Sequence, residues 1–193
     1  MVNIRECERV MIESSSDLAQ FSCGDEDLDD FFANDAYLYD KQLLGKTYYF
    51  AIKGTGKIVG AFTVANDSIK ASLISNAVRN KLQRKIPNSK HTRSYPAVLI
   101  GRIGVASDMR GNNIGSQIVE YIKYWFTRHT NKSGCRYVVV DAYNSESVLS
   151  FYERNEFKYL YATEEEERAK FDLPEGERLN SRMMYFDLIC YSD

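Results

Sequence analysis

Between Tyr95 and Gly115 the chain reads Y-P-A-V-L-I-G-R-I-G-V-A-S-D-M-R-G-N-N-I-G. An apolar, strand-like run gives way to a short polar turn, and the turn opens an amphipathic helix. The first turn of a helix has N–H groups without partners and the positive end of the helix dipole, a combination suited to phosphate. Gly111, Asn112 and Asn113 are residue types that accept left-handed backbone angles. Successive N–H groups in such a turn form an anion-binding concavity. The chemistry that fits is main-chain capture of a phosphate-bearing ligand, although plain helix-start connectors share this composition.

Two better-known phosphate motifs are absent. No G-x-x-x-x-G-K-[ST] string occurs, and R-G-N-N-I-G lacks the G-x-G-x-x-G spacing of a dinucleotide fingerprint. Gly101 and Gly104 interrupt an otherwise apolar strand. A glycine there marks a bulge or a close approach of neighbouring backbone. A bulge would free N–H groups to face a slot; the alternative is tight helix packing.

Hydrophobic periodicity supplies the elements around this turn. Residues 4–11 read as a strand. Asp25 caps a helix whose apolar positions Leu28, Phe31, Phe32, Ala36, Tyr39 and Leu43 keep a helical period, with Gly45 as its stop. T-Y-Y-F-A-I-K and I-V-G-A-F-T-V-A are strands of a hairpin joined through G-T-G. Residues 70–86, with Leu73, Val78, Leu82 and Ile86, read as a helix ended by Pro87, and Asn88 to Ser94 as a polar loop. A long helix from Ile114 carries the stripe Ile114, Ile118, Tyr121, Ile122, Trp125 and Phe126. C-R-Y-V-V-V-D-A-Y is a strand buried on both faces, followed by a short helix capped by Asn144 or Ser145. Two last strands, near 158–162 and 183–190, flank a solvated acidic helix start with Thr163 and Glu166 as a capping box.

A chain of 193 residues suits one domain, 1–193, of mixed α/β architecture. Its net charge of −2 gives no global argument for nucleic acid or anionic membrane. No apolar run approaches the roughly 18–20 residues that span a bilayer, and the N-terminus lacks a signal-peptide core, so the expected location is cytoplasmic. Cys7, Cys23, Cys135 and Cys190 are scattered without ligand spacing, which points to free thiols and no metal. His91 and His129 stand in unremarkable settings.

At this point the chain resembles the GNAT superfamily of acyl-CoA-dependent N-acyltransferases. The family's [QR]-x-x-G-x-[GA] turn falls on Arg110, Gly111, Asn112, Asn113, Ile114 and Gly115. A downstream pattern, N-x-x-[AS]-x-x-x-Y-x-x-x-G-F, is similar to Asn144 through Phe157, which includes F-Y-E-R-N-E-F. Two departures stand out: Asn113 and Glu156 replace motif glycines. F-S-C-G-D-E-D-L-D-D-F-F and P-A-V-L-I-G-R-I-G-V resemble the branch that includes aminoacyl-tRNA-acetylating toxins.

The resemblance implies a mostly antiparallel sheet, splayed between two strands at the acyl-CoA site, with helices on both faces. It implies acetyl-CoA as co-substrate and an amine as acceptor. Pyrophosphate would lie on the N–H groups of Arg110 to Ser116, and the pantetheine arm along Ile103, Gly104 and Val105, with Asn144 and Ser147 contacting it. A preset N–H near Ile103–Val105 would stabilise the oxyanion. Tyr152 would protonate the leaving thiolate, or else is a core aromatic. Asp141 and Asp67 are candidate bases; a water relay would need neither. Arg102 faces the acceptor or pairs with a carboxylate.

Three function classes follow. The first is an N-acetyltransferase acting on a small molecule, peptide or protein amine. The second is a tRNA-acetylating toxin, held second because the chain is mildly acidic, with Lys81, Arg84, Lys85, Lys90 and Arg93 as its local basic patch. The third is a CoA-binding domain without turnover. Homodimerisation and an antitoxin partner stay open.

Overall fold

The computed structural model describes residues 2–83, 86–88, 92–174 and 176–191. Its strands are β1 (Cys7–Met11), β2 (Lys46–Ile52), β3 (Ile58–Lys70), β4 (Ser94–Val105), β5 (Tyr137–Tyr143), β6 (Lys158–Tyr159) and β7 (Ser181–Asp187). They form one sheet in the order β1-β2-β3-β4-β5-β7-β6. The β1/β2, β2/β3, β5/β7 and β6/β7 pairs are antiparallel, and β4/β5 is parallel. The helices are α1 (Glu26–Asp30), α2 (Ala36–Lys41), α3 (Asn76–Gln83), α4 (Ile114–Thr127), α5 (Glu146–Arg154) and α6 (Glu164–Lys170). Two compact units result: Met1–Asn66 with Ile100–Trp125, and Asp67–Leu99 with Phe126–Asp193.

In the first unit, Asp25 caps α1 as expected, accepting from Leu28 N–H at 3.1 Å. Asp29 turns back to accept from Ser22 Oγ (2.7 Å) and from the N–H groups of Cys23 (2.6 Å) and Gly24 (3.3 Å). The acidic motif is therefore a device for closing the Ser22–Gly24 turn. The single helix expected here is broken by a π-helical turn, Phe31–Asp35, between α1 and α2. Its wider turn shifts the phase of the residues that follow, each residue of an α-helix being worth about 100°. Phe31, Phe32 and Ala36 are buried, but Tyr39 and Leu43 of the expected stripe are exposed. The helix stops at Leu43, which holds φ +59°, rather than at Gly45. Gly45 is small for a different reason: a Cβ there would lie 3.2 Å from Thr63 Cγ2 and 3.3 Å from the Val64 carbonyl oxygen.

Gly54 (φ +84°) and Gly56 (φ +69°) make the β2–β3 turn, and the buried Thr47 and Thr63 hydroxyls bond across the pair at 2.7 Å. β4 runs to Val105 beneath the aromatic segment. A Cβ on Gly104 would sit 3.1–3.2 Å from Phe32, Cys23 and Phe21, so tight packing accounts for that glycine. α4 buries Ile114, Ile118, Val119 and Ile122. Its half-buried residues Tyr121 and Trp125 cluster with Tyr48, and Arg9 lies 4.6 Å from the Trp125 ring and donates to Tyr121 Oη at 2.6 Å.

In the second unit the core gathers Ile69, Ile74, Leu82, Tyr95, Tyr137, Val139, Leu160, Tyr161 and Tyr185. The helix expected over 70–86 starts only at Asn76, as α3, because β3 continues to Lys70 and residues 71–74 form a turn. Of the expected basic patch, Arg84, Lys85 and Lys90 lie outside the described residues, as does His91. The acidic run is not solvated throughout. Thr163 accepts from Glu166 N–H (3.2 Å), but Glu167 is buried, pairs with Arg182 at 2.6 Å and accepts from Met183 N–H at 2.7 Å. Arg136 and Asp187 make a two-pronged pair at 2.6 and 2.9 Å.

Candidate active site

The turn entering α4 carries two residues in the left-handed conformation. After a 3-10 turn at Ser107–Met109, Gly111 holds φ +80° and Asn113 φ +59°. Asn113 therefore occupies the motif's glycine position in the left-handed conformation that explains the glycine, an angle Asn accepts at little strain. A Cβ on Gly111 would meet nothing within 4 Å, so that glycine serves conformation alone. The turn is braced by its own side chains. Asn112 Nδ2 donates to the Met109 carbonyl at 3.1 Å, and Gln117 Nε2 to the Asn112 carbonyl at 3.4 Å. The Ile114 side chain is buried.

Arg110 is placed differently from what a phosphate site suggests. Its guanidinium donates to the Cys23 carbonyl, and Ser107 N–H and Oγ donate to the Ser22 carbonyl at 3.0 and 3.1 Å. Arg110 thus clamps the turn to the Ser22–Gly24 segment, and its main chain is what remains for an anion. Upstream, Ala106 N–H bonds the Val59 carbonyl at 3.0 Å, fixing the end of β4 just after Ile103, Gly104 and Val105.

In the second unit, β4 and β5 pair in parallel from Ala97↔Tyr137 to Leu99↔Val139, and β5 continues to Tyr143. Ser145 is the N-cap of α5, without a side-chain capping bond. Asn144 does something else. Its Nδ2 donates to Glu164 Oε1 (3.0 Å) and to the Leu179 carbonyl (2.9 Å), while its own carbonyl accepts from Arg178 at 2.6 Å. The amide nitrogen is thus committed to holding the β5–α5 turn onto α6 and onto the segment that leads into β7. The bond from Asn144, first among the causes, holds the Glu164 carboxyl below its usual range. Asn144 also precedes Tyr152 by one residue more than the family spacing, so registering on Tyr152 and Phe157 puts Ser145 at the motif's Asn position. Ser147 is exposed near the start of α5.

Tyr152 lies near the C-terminus of α5, buried, with edge-on contacts to Phe151 and Phe157. Glu156, at the second departed glycine, holds φ +65°. Its N–H bonds the Glu153 carbonyl at 2.9 Å, and Phe157 N–H bonds the Tyr152 carbonyl at 3.0 Å. These are the two bonds of a Schellman helix end, and Y-x-x-x-G-F is the spacing that end requires. Burial pushes the Tyr152 phenol well above its usual pKa, so it keeps its proton at neutral pH.

Asp141 lies on β5 with an exposed side chain, and its carboxyl is raised above the ordinary carboxylate range, by partial desolvation first and then by the charge of Asp67. Cys23 and Cys135 thiols are each pushed up to about 11, chiefly by burial, and are poor nucleophiles at neutral pH. All four cysteines are free. Among the described residues, no group of three or more His, Cys, Asp or Glu could hold a metal ion, and no helix is long and apolar enough to cross a membrane.

The family model for the acetyltransferase (GNAT) domain matches residues 45–159, and the chain belongs to that family. Compared by sequence, no curated protein matches significantly. Among solved structures, AtaT complexed with acetyl-methionyl-tRNAfMet superposes with a TM-score of 0.71 at 18% identity, covering 96% of each chain. A mutant of KacT gives 0.70 at 18% identity over 96% of each chain. AtaTR bound with AcCoA gives 0.68 at 19% identity, again over 96% of each chain. At these identities the likeness is one of fold, and it bears out the mixed, mostly antiparallel architecture.

Proposed function

We propose that the protein transfers an acetyl group from acetyl-CoA to a primary amine by direct attack. The observation that carries this reading is the paired left-handed geometry of Gly111 and Asn113 at the start of α4, in a chain of the acetyltransferase family. Main-chain N–H groups from Arg110 to Ser116 hold the pyrophosphate. Ile103, Gly104 and Val105 offer main-chain bonds to the pantetheine arm and one N–H to the oxyanion as the amine attacks the thioester carbon. Tyr152, protonated, donates to the departing thiolate. Asp141, Asp67 or a water relay takes the amine's proton. Ser147 contacts the pantetheine arm, while the Asn144 side-chain amide is engaged by Glu164 and the Leu179 carbonyl.

Aminoacyl-tRNA is a second acceptor. It is favoured by the fold likeness to a protein solved with acetyl-methionyl-tRNAfMet over 96% of both chains. The testing measurement is thermal unfolding with acetyl-CoA, CoA and ATP. A ligand at 100 times its Kd adds about 2.7 kcal/mol. Stabilisation by both CoA species but not by ATP supports the reading, and no shift with any of them rejects it. Acetylation of aminoacyl-tRNA but not of free amines would select the second acceptor.

A further inference from the structure

Arg102 carries a buried donor, its Nε, that meets no partner among the described residues. It lies on β4 two residues before Gly104, so both positions point to the same sheet face. That face is the one on which Phe21, Cys23 and Phe32 crowd Gly104. The guanidinium sits 5.0 Å from the Phe31 ring centroid, and Nη1 donates to the Gly101 carbonyl at 2.9 Å. Its Nε is buried with no hydrogen-bond partner, and among the described residues Arg102 makes no ion pair. Arg136 and Arg182 are met by carboxylates, Asp187 and Glu167, whereas Arg79, whose Nε is likewise buried without a partner, donates to the Ala71 carbonyl at 2.6 Å. The ring beside Arg102 belongs to the Phe31–Asp35 π-turn, a local irregularity of a kind that recurs at functional sites. A guanidinium braced on an aromatic ring, with a donor to spare, is prepared for a planar oxyanion.

We infer that Arg102 recognises an oxyanion on the acceptor, a carboxylate or phosphate carried close to the reacting amine. The inference rests on the acetyltransferase reading. Arg102 directly precedes Ile103, where main-chain contact with the acyl arm begins, so an anion held at Arg102 brings a neighbouring amine to the thioester. The unused Nε is then a donor reserved for the acceptor.

The test measures initial rates with acetyl-CoA and four acceptors: ethanolamine, β-alanine, O-phosphoethanolamine and unfractionated aminoacyl-tRNA. Anionic acceptors are expected to exceed ethanolamine in kcat/KM, and the better anion identifies the source, carboxylate or phosphate. Arg102→Met should raise KM for the preferred acceptor about 10- to 100-fold, as expected for loss of a charge-assisted hydrogen bond, with a smaller change in kcat. Arg102→Lys should recover only part, because an ammonium lacks the planar fork. If Arg102→Met fails to fold, Arg102→Lys decides the matter, with its unfolding midpoint measured first. Unchanged KM in a folded variant, preference for ethanolamine, or no transfer to any anionic acceptor by a protein that acetyl-CoA does stabilise overturns the inference. Absence of acetyl-CoA stabilisation removes the transferase reading itself, and this inference with it.

Discussion

Phe157 holds Tyr152 twice: its N–H closes onto the Tyr152 carbonyl, and its ring meets the phenol ring edge-on at 5.3 Å. The helix end and the proposed acid are thus one structural unit. Glu156 makes that end possible by adopting a left-handed angle that costs a non-glycine residue on the order of 1–2 kcal/mol.

Restoring the family glycine should relieve that strain. Glu156→Gly is expected to raise the unfolding free energy by about 0.5–1 kcal/mol after the added flexibility of glycine is subtracted. Asn113→Gly should change stability by less than about 0.5 kcal/mol, whereas Asn113→Val, β-branched at a positive φ, should destabilise and weaken acetyl-CoA binding. Denaturant titration of the three variants, with and without acetyl-CoA, checks the ordering.

Tyr152→Phe removes the hydroxyl and keeps both contacts with Phe157. The expected outcome is a kcat lower by about 100-fold or more, within the range for losing a general acid, with acetyl-CoA affinity unchanged. Single-turnover rates beside binding measurements separate the two. An equal loss of acetyl-CoA affinity would assign the phenol to binding instead.

Arg182 and Glu167 form a buried pair, and Glu167 also accepts from Met183 N–H. Removing one partner strands the other charge away from water. Glu167→Ala should cost about 3–5 kcal/mol in equilibrium unfolding. A cost below about 1 kcal/mol would mean that the pair behaves as a surface contact.

The Asp141 carboxyl gives a pH signature. As a base it must be ionised, so kcat/KM should fall on the acid side through a pKa above the usual carboxylate value of about 4. Asp67→Asn removes a neighbouring negative charge and should move that limb to lower pH. The stability effect has the matching sign. A carboxyl raised in the fold contributes stability that is present below the unfolded pKa and lost as pH rises through the folded one, so Asp67→Asn should stabilise at neutral pH and not in acid. pH–rate profiles and unfolding at two pH values test both halves.

Much of this is legible in the chain. The strand–turn–helix at 97–127, the G-T-G hairpin and the Asp25 cap are local features, fixed by residues that have few other uses. The left-handed angles at Asn113 and Glu156 are legible only as departures, since a motif glycine signals a backbone angle and the substituted residue hides it. The hidden parts depend on tertiary partners. Nothing in E-E-E-E distinguishes Glu167, buried against Arg182, from Glu165, which is exposed. The π-turn is equally silent, because Phe31, Phe32 and Ala36 suit an uninterrupted helix as well. Arg110, the motif's own cation, is a clamp on Cys23, a role that only the packed turn reveals. Sequence alone leaves Arg102 between facing the acceptor and pairing with a carboxylate, and only the packed structure shows that it makes no ion pair among the described residues.

Trp125 is the chain's one tryptophan, and it lies eleven residues beyond Ile114 on α4, roughly 16 Å along the helix from the turn that opens it. Its indole is contacted by the Arg9 cation and by the edge of Tyr48. The protein therefore carries its own spectroscopic reporter: intrinsic emission, excited selectively in the red edge of indole absorption, originates from a single position on the helix that begins at the proposed cofactor turn. Ordering or displacement of that helix can be followed in real time, without a label and without a coupled assay.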